Sequence, residues 1–561
     1  MEAEATGRRR DVKGQEKMKI QHRGIEYEGI PASNAIGMAL FESSGMRRLI
    51  DERCSYDPEK RTLSPGMVVK ALMGPMFNIT KKFPLYMVET AYSSAPADRL
   101  FGTGVSSDNL YDTALARGLD TLFDADLCAL FTECAELASD RYGFESHVMH
   151  MDCTDISFTG LEHLPDKEGA AVPRRNGHPK DLRTELLQYQ LQLVTDSNRI
   201  IRYMKPYSGN VGDSTMDSET LDDLGRIFTD EELRQTIMVG DSKLPTVQNM
   251  AKMIDMGMCF VSKCSQTFKG KARDRVRAWA ESAVMEDGPR KGLSMADTVI
   301  DVEFSKDRTE ELRFVAFRWD EKVEGRIESI RREAEIRAGS ISNAVKGMRF
   351  GKKAEALKEF ERIRPGPLDA LSVSAEPVYF ESDHPEDVPS WWELRLTTEI
   401  TDRSVRRAAE MAETVVLVTN LHRPSGHGGA ASVRSASNLA VIEYYNQEYK
   451  VEQSFRLMKS GMGMNSIFLQ TPSRENAMMF VISIAVLISN IADAMFRRAG
   501  SLLDGRQLTM YRLAYEVQTT IVQYFRSENT LRLMGPERVT KGFFDITDTL
   551  GINPQYLLGY L

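Results

Sequence analysis

Apolar positions recur along this chain with different periods, and the changes of period divide it. From 25 to about 145 they recur every three to four residues. LSPGMVVKALMGPMF, SSDNLYDTALARGLDTLF and DADLCALFTECAELASDRYG each predict a helix with one apolar stripe. Ser107 or Asp108 suits the cap of the second helix, and Gly143 closes the third. Beyond 145 the period falls towards two. HVMHMDCTDISF predicts a short apolar strand, and LLQYQLQLV (186–194) alternates as a half-buried strand should. RIIRYMK (199–205) follows the turn-type linker TDSN as the second arm of a hairpin. TIMVGD (236–241) and MCFVSKC (258–264) predict two more strands around a helix, LPTVQNMAKMIDMGM, that Gly257 ends.

From about 266 to 425 the pattern is mixed. KARDRVRAWAESAV and KVEGRIESIRREAEI are polar helices; LRFVAFRW, WWELRLTTEI and ETVVLVTN (413–420) are strand-like. PSGHGGAASVRSASN (424–438) is a flexible connection, and one long helix is predicted from near Ser437 to Gly461. The remainder, 470–561, is expected to be mostly helical. This pattern divides the chain into a basic disordered tail (1–24), a helical domain (25–145), a strand-and-helix segment (146–265), a mixed segment (266–425), a further segment (426–500) that holds the long helix, and a C-terminal helical region (501–561).

Composition is that of an ordinary globular protein, 42% apolar and 27% charged, and 561 residues exceed one compact core. Cys54, Cys128, Cys134, Cys153, Cys259 and Cys264 form no CxxC pair and no zinc spacing, so reduced thiols and a cytoplasmic setting are expected. The arginine-containing N-terminus has no apolar run that would make it a secretory signal. NAMMFVISIAVLISNIA (476–492) is the best membrane candidate, but 17 uncharged residues including Asn and Ser fall short of the ~20 a span needs. A buried core helix, and no membrane, is the expectation. Net charge is −9, against simple coating of DNA, yet bases gather locally. RAGSISNAVKGMRFGKK (337–353) holds Lys346, Arg349, Lys352 and Lys353 with no acid, and KGKARDRVR (269–277) begins with Lys269 and Lys271. A third island is Arg174, Arg175, Lys180 and Arg183. Such islands fit localised phosphate contacts, and equally solvated faces.

On a continuous helix at about 100° per residue, Tyr445, Glu452, Arg456 and Lys459 share one stripe, while Tyr444, Val451, Phe455, Met458 and Met462 make an apolar one beside it. Alone, the charged stripe is an exposed face with internal charge compensation. Two further acids change that: Asp152 within VMHMDCT, and Asp241 at the end of IMVGD. Carboxylates at strand ends plus one on a later helix are hard oxygen ligands that suit Mg²⁺, and two such ions serve phosphoryl transfer.

At these residues the chain resembles the DDE transposases of bacterial insertion sequences, in the subgroup with a Tyr-Arg-Glu-Lys signature. In that signature Tyr, two residues, Arg, three residues, Glu, six residues and Lys follow in order. Tyr445, Glu452 and Lys459 match, whereas Glu448 stands where the subgroup has arginine. Asp152-Cys153-Thr154 matches the first-aspartate motif and Val239-Gly240-Asp241 the second; GHPKDLRTELLQYQLQLVTD and YMKPYSGNVGDST are similar to the intervening family sequence. The resemblance covers roughly 25–500. It implies an α/β fold: a ribonuclease-H-like mixed sheet with flanking helices, begun at 146–265 and resumed at 426–500, interrupted by a large α+β insertion (266–425), behind an N-terminal helical domain (25–145) for DNA-end binding or dimerisation. It implies that Asp152, Asp241 and Glu452 ligate two Mg²⁺ or Mn²⁺ ions that activate water or a DNA 3′-hydroxyl. Tyr445 and Lys459, helped by Arg456, would contact phosphates. The partners implied are double-stranded DNA with terminal inverted repeats, target DNA, and a second copy of the chain.

Rivals are weaker at each position. Asp155, three residues after Asp152, faces the other way on a strand. His147 and His150 lack a third zinc ligand and are taken as structural. Trp279, Trp319, Trp391 and Trp392 lie in the expected insertion, where an aromatic side chain is able to stack on a base. The like-charged pair Glu448 and Glu452 is expected to cost the helix roughly 0.2–0.5 kcal/mol. Two other functions remain open: a metal-dependent nuclease of the same core without strand transfer, and a domesticated DNA-binding protein that no longer cuts.

Overall fold

The computed structural model describes residues 21–22, 25–26, 28–78, 84–158, 171–177, 186–264, 271–364, 370–424, 434–464, 469, 471–503, 505–517, 520–525, 530–535, 543, 545–553 and 557. The chain forms two compact units. The first is Met1–Leu244, Lys252–Met258 and Gln447–Leu561; the second is Pro245–Ala251 and Cys259–Asn446. The second unit therefore takes in the 258–264 strand and extends past 425 on the other side. Apart from Gln21–His22, the expected tail 1–24 lies outside the described residues.

The first unit opens with helices α1 (Ala32–Ser43), α2 (Met46–Arg53), α3 (Pro65–Met73), α4 (Asp112–Phe123) and α5 (Leu127–Tyr142). Ser64 caps α3 and Asp126 caps α5 by accepting backbone N–H bonds, and Gly143 ends α5 at φ 64°, a left-handed position that suits glycine. Tyr111, rather than Ser107 or Asp108, precedes α4; those two lie in a separate short turn.

Strands β1 (Val148–Phe158), β2 (Leu187–Asp196) and β3 (Ile201–Ser208) follow, then helix α6 (Asp213–Ile227) and strand β4 (Ile237–Gly240). They form a mixed sheet in the order β3-β2-β1-β4, antiparallel except for the parallel pair β1/β4. Strand β2 is not half-buried as its alternation predicts: both faces are covered, glutamines included. The covered glutamines find polar partners instead. Gln188 Nε2 donates to Gly209 O at 3.3 Å and Gln192 Nε2 to Asp217 Oδ1 at 3.0 Å.

After helix α7 (Val247–Asp255), the second unit pairs β5 (Cys259–Lys263), β6 (Leu293–Ser305), β7 (Arg308–Trp319) and a later strand into an antiparallel sheet. Helix α8 (Lys271–Ser282) precedes β6. A long polar helix α9 (Asp320–Val345) and α10 (Lys353–Ile363) pack with the hairpin β8 (Leu371–Phe380) and β9 (Trp391–Ile400) around a small apolar cluster that includes Ile341, Phe360 and Leu394. Helix α11 (Asp402–Glu413) leads to β10 (Val415–Thr419), which lies between β5 and β7. Helix α12 (Asn438–Asn446) closes this unit.

The helix predicted from Ser437 to Gly461 is broken. A turn at 447–448 separates α12 from α13 (Tyr449–Arg456), and Leu457–Gly461 winds as a wider π turn with Met462 N–H donating to Leu457 O. Helix α14 (Pro472–Arg498) then fills the core of the first unit; it is long and apolar enough to cross a membrane, but 94% of its most apolar stretch is buried in the fold. The expected helical region 501–561 holds strands as well. Ile521–Phe525 pairs with Thr530–Met534 and with Glu28–Pro31 in a three-stranded antiparallel sheet, as the β-branched and aromatic run IVQYF favours.

Candidate functional site

Strands β1 and β4 run parallel, with Val148 opposite Ile237 and Met151 opposite Gly240. Asp152 and Asp241 are the next residues after this pairing, Asp152 still within β1 and Asp241 just beyond β4. Asp152 is half-buried, and its carboxylate accepts the N–H of Cys153 at 2.8 Å. Asp241 stands just past the strand end and accepts the N–H of Lys243 at 2.7 Å. Gly240 permits the turn: a Cβ there would meet Leu244 Cδ2 at 2.6 Å and Leu244 Cβ at 3.0 Å.

A third carboxylate sits near this pair. Asp217 of α6 is buried and accepts the Gln192 amide. Burial pushes its carboxyl up to about 7, and the Asp241, Asp213 and Asp152 carboxylates add to the rise. Asp213 is tied to Lys243 at 3.7 Å. Neither Asp213 nor Asp217 is among the acids expected from the sequence. Their signal is the i,i+4 spacing in DSTMDSETL, which puts both on one face of α6.

Glu452 stands exposed on α13, whose Val451, Ser454 and Phe455 are buried. This short helix packs against β1 and β2, with Ser454 Oγ accepting from Asn490 at 3.0 Å. Among the described residues no three His, Cys, Asp or Glu side chains are grouped closely enough to hold a metal ion, so Glu452 does not join the two aspartates in a ready-made cluster. Carboxylates are hard, anionic oxygen donors of the kind that take Mg²⁺ or Mn²⁺.

The broken helix also redistributes the stripe. Arg456 and half-buried Lys459 follow Glu452, but Lys459 lies in the π turn, off the α-helical wheel. Tyr445 belongs to α12, in the second unit, so the single stripe from 445 to 459 does not form. Glu448 is the N-cap residue of α13 rather than a residue inside a helix, where a negative charge favours the helix dipole. Lys450 Nζ is held by Ser197 O at 2.6 Å and Gln447 Oε1 at 2.7 Å.

Of the basic islands, Lys346, Arg349, Lys352 and Lys353 are all exposed. The Arg349 guanidinium lies 3.8 Å from the Trp391 ring centroid and Lys353 Nζ 5.9 Å from that of Trp392. Lys271 begins α8, while Lys269 lies outside the described residues. Arg174, expected in a phosphate-contacting loop, is instead buried against Glu475 of α14 at 2.8 Å, with the Tyr189 hydroxyl donating to the same carboxylate at 2.7 Å. Lys180 and Arg183 lie outside the described residues. His150 is buried in β1 with neither ring nitrogen bonded; burial, then the charge on Lys450, pushes it down to about 3, consistent with a structural and not a metal-binding role.

Comparison with known families matches residues 34–136 to a domain of unknown function, DUF4277. The match spans the helical part from α1 into α5 and none of Asp152, Asp241 or Glu452. No curated protein matches the chain.

Proposed function

We propose that this protein is a divalent-metal-dependent DNA transposase of the Asp-Asp-Glu type, built on a ribonuclease-H-like core in which a second unit is inserted. What carries this reading is an aspartate at the same point of two neighbouring parallel strands: β1 and β4 are in register up to Met151 opposite Gly240, and Asp152 and Asp241 are the next residues along the chain. The motifs around both aspartates and the order Tyr445, Glu452, Lys459 support it. Asp152 and Asp241 would hold Mg²⁺ or Mn²⁺, with Glu452 supplied by the returning chain. The bound ions would supply activation of the attacking oxygen and relief of charge on the phosphodiester.

The chain's own residues do the rest. The Lys243 N–H and the Cys153 N–H fix the two carboxylates. A cation held beside Asp217 would favour its ionised form, so this carboxyl, raised by burial and by its acidic neighbours, would give up its proton as the ion binds. Tyr445, Arg456 and Lys459 act as phosphate donors, and Lys346, Arg349, Lys352, Lys353, Lys269 and Lys271 meet the DNA backbone. The substrates are DNA bearing terminal inverted repeats and a target duplex, synapsed by two copies of the chain in the cytoplasm. The segment that matches DUF4277 serves end binding or dimerisation.

The test is nicking of a plasmid carrying the DNA that flanks the protein's own gene, with Mg²⁺ or with chelator. Asp152→Asn, Asp241→Asn and Glu452→Gln should each lower nicking by more than about 100-fold, the upper figure for losing even an outer-shell partner, while DNA binding persists. Wild-type rates in any one variant would remove that residue from the site. Pre-cut ends should be joined to target DNA; ends left unjoined would mean a nuclease, and absence of Mg²⁺-dependent nicking a non-cutting DNA-binding protein.

A further inference from the structure

A polar cavity lies in the first unit. It has a volume of about 460 Å³ and is enclosed by the β2–β3 turn, the end of α13 with its π turn, α14, and residues 509–511. Two guanidinium groups line it, Arg199 and Arg456, together with the hydroxyl-bearing Ser460, Thr509 and Tyr511.

Arg199 is the unusual member. Among the described residues it is the only non-glycine with positive φ, at 72°. A glycine or asparagine would hold this left-handed turn position with less strain. The turn itself is well tied without the side chain: Arg199 N–H donates to Asp196 O, and Asp196 N–H to Ile200 O, both at 2.9 Å. Retaining arginine there therefore needs a reason in its guanidinium. That group is poorly used by the protein: its Nη1 reaches Asp493 at 3.5 Å and Nη2 reaches Asn490 at 3.4 Å, both at the limit of bonding, and its buried Nε has no partner.

The local charge asks for an anion. Burial presses Arg199 below its ordinary value; Asp493 opposes this, Arg497 adds to it, and smaller opposing effects come from Tyr449 and Arg456. Asp493 is itself engaged elsewhere, accepting the Met510 N–H at 2.6 Å. Two guanidinium groups and one carboxylate, Asp493, thus line an opening large enough for a phosphate and part of the group that bears it. Arg456 and Tyr511 are exposed at its edge, so the cavity is reached from solvent.

We propose that this cavity binds a phosphate group of a nucleotide or nucleic-acid strand, gripped by Arg199 from inside and Arg456 from the rim. Planar guanidinium forks suit phosphate oxygens, and the surrounding hydroxyls donate to those left over. Through Arg456 the site rests in part on the proposed function, which also uses that residue; none of the lining residues is a candidate metal ligand, and the nucleotide arm with Arg199→Lys tests the cavity apart from that reading.

The test uses the full-length chain in chelator, so that cleavage plays no part. Thermal unfolding is followed against inorganic phosphate and deoxyadenosine monophosphate, and affinity for a random-sequence duplex oligonucleotide is measured across a salt series. Phosphate or the nucleotide should raise the unfolding temperature of the wild type. Arg456→Gln, an exposed change expected to fold normally, should weaken binding about tenfold, and Arg456→Lys should restore part of it. If a strand is the source, Arg456→Gln should also reduce the salt slope for the duplex by about one contact. If a free nucleotide is the source, the duplex arm stays unchanged while the nucleotide arm responds. Arg199→Lys should give the same pattern as Arg456→Gln. Absence of any ligand-dependent stabilisation, with duplex affinity and salt slope unaltered in both variants, would overturn the proposal.

Discussion

His150 and Asp217 make opposite demands on proton concentration. Buried His150 is pushed down to about 3 and stays neutral in the fold, whereas an unfolded histidine takes up a proton near 6.5. Its contribution is present above that unfolded value and is lost as pH falls from about 6.5 towards 3. Asp217 is pushed up to about 7, above an unfolded value near 3.9, so its folded form prefers the proton. That contribution is greatest at low pH and is lost as pH rises from about 4 to 7. Between about 4 and 6.5 the two slopes, each at most about 1.4 kcal/mol per pH unit, oppose each other. Relative to wild type, His150→Leu should therefore gain stability on acidification below 6.5, and Asp217→Asn should gain as pH rises to 7. Urea unfolding at stepped pH in chelator measures both; parallel wild-type and variant curves would sink the assignment. The motif flanking Asp152 was legible in the sequence. Asp217 was not, because its importance comes from Gln192 and from carboxylates on other elements, and no local pattern encodes that burial.

At the scale of elements, period and caps served best where neighbours did not intervene. Gly143 marks the end of α5 in the sequence as in the structure. The 437–461 helix was misjudged because periodicity alone does not register a two-residue turn at 447–448 or a π turn after Arg456. Strand β2 was misjudged because alternating glutamines look solvent-facing until α6 and other elements cover them. Gly118 carries a comparable message. It lies inside α4, where glycine costs about 1 kcal/mol relative to alanine, yet it needs no special backbone angle. Its reason is a close helix contact: a Cβ would fall 2.5 Å from Val68 Cγ2 and 2.9 Å from Val68 Cβ. Val68 is β-branched and fully buried in α3, so it has little room to move. Gly118→Ala should consequently destabilise the first unit by about 1–3 kcal/mol through overpacking, despite the better helix former. A urea midpoint equal to or above that of wild type would show that α3 and α4 separate without cost.

For the whole molecule, the spacing of the three acids was the informative feature: 89 positions from Asp152 to Asp241, but 211 from Asp241 to Glu452. Under the proposed function an excess of that size corresponds to an insertion; the edges of the second unit depend on which strands pair, and so β5 and α12 fall in it. This arrangement makes the first unit depend on chain that arrives late. Helix α14 packs on α1, α3, α4, α5 and β3, all of which precede it by more than 250 positions. Its Glu475 also neutralises buried Arg174, a cation that would otherwise be left in the core at a cost of about 3–5 kcal/mol. A chain ending at Asn446 keeps all of β1–β10 but loses these contacts. It should lose the first unit's cooperative thermal transition in far-UV circular dichroism and aggregate through the exposed faces of α1, α3 and α4. All four tryptophans, 279, 319, 391 and 392, lie in the second unit, so their fluorescence reports that unit separately. The truncated chain should retain a tryptophan transition even as the first unit's signal disappears. Survival of both transitions would show that the N-terminal helices and β1–β4 form a core without α14.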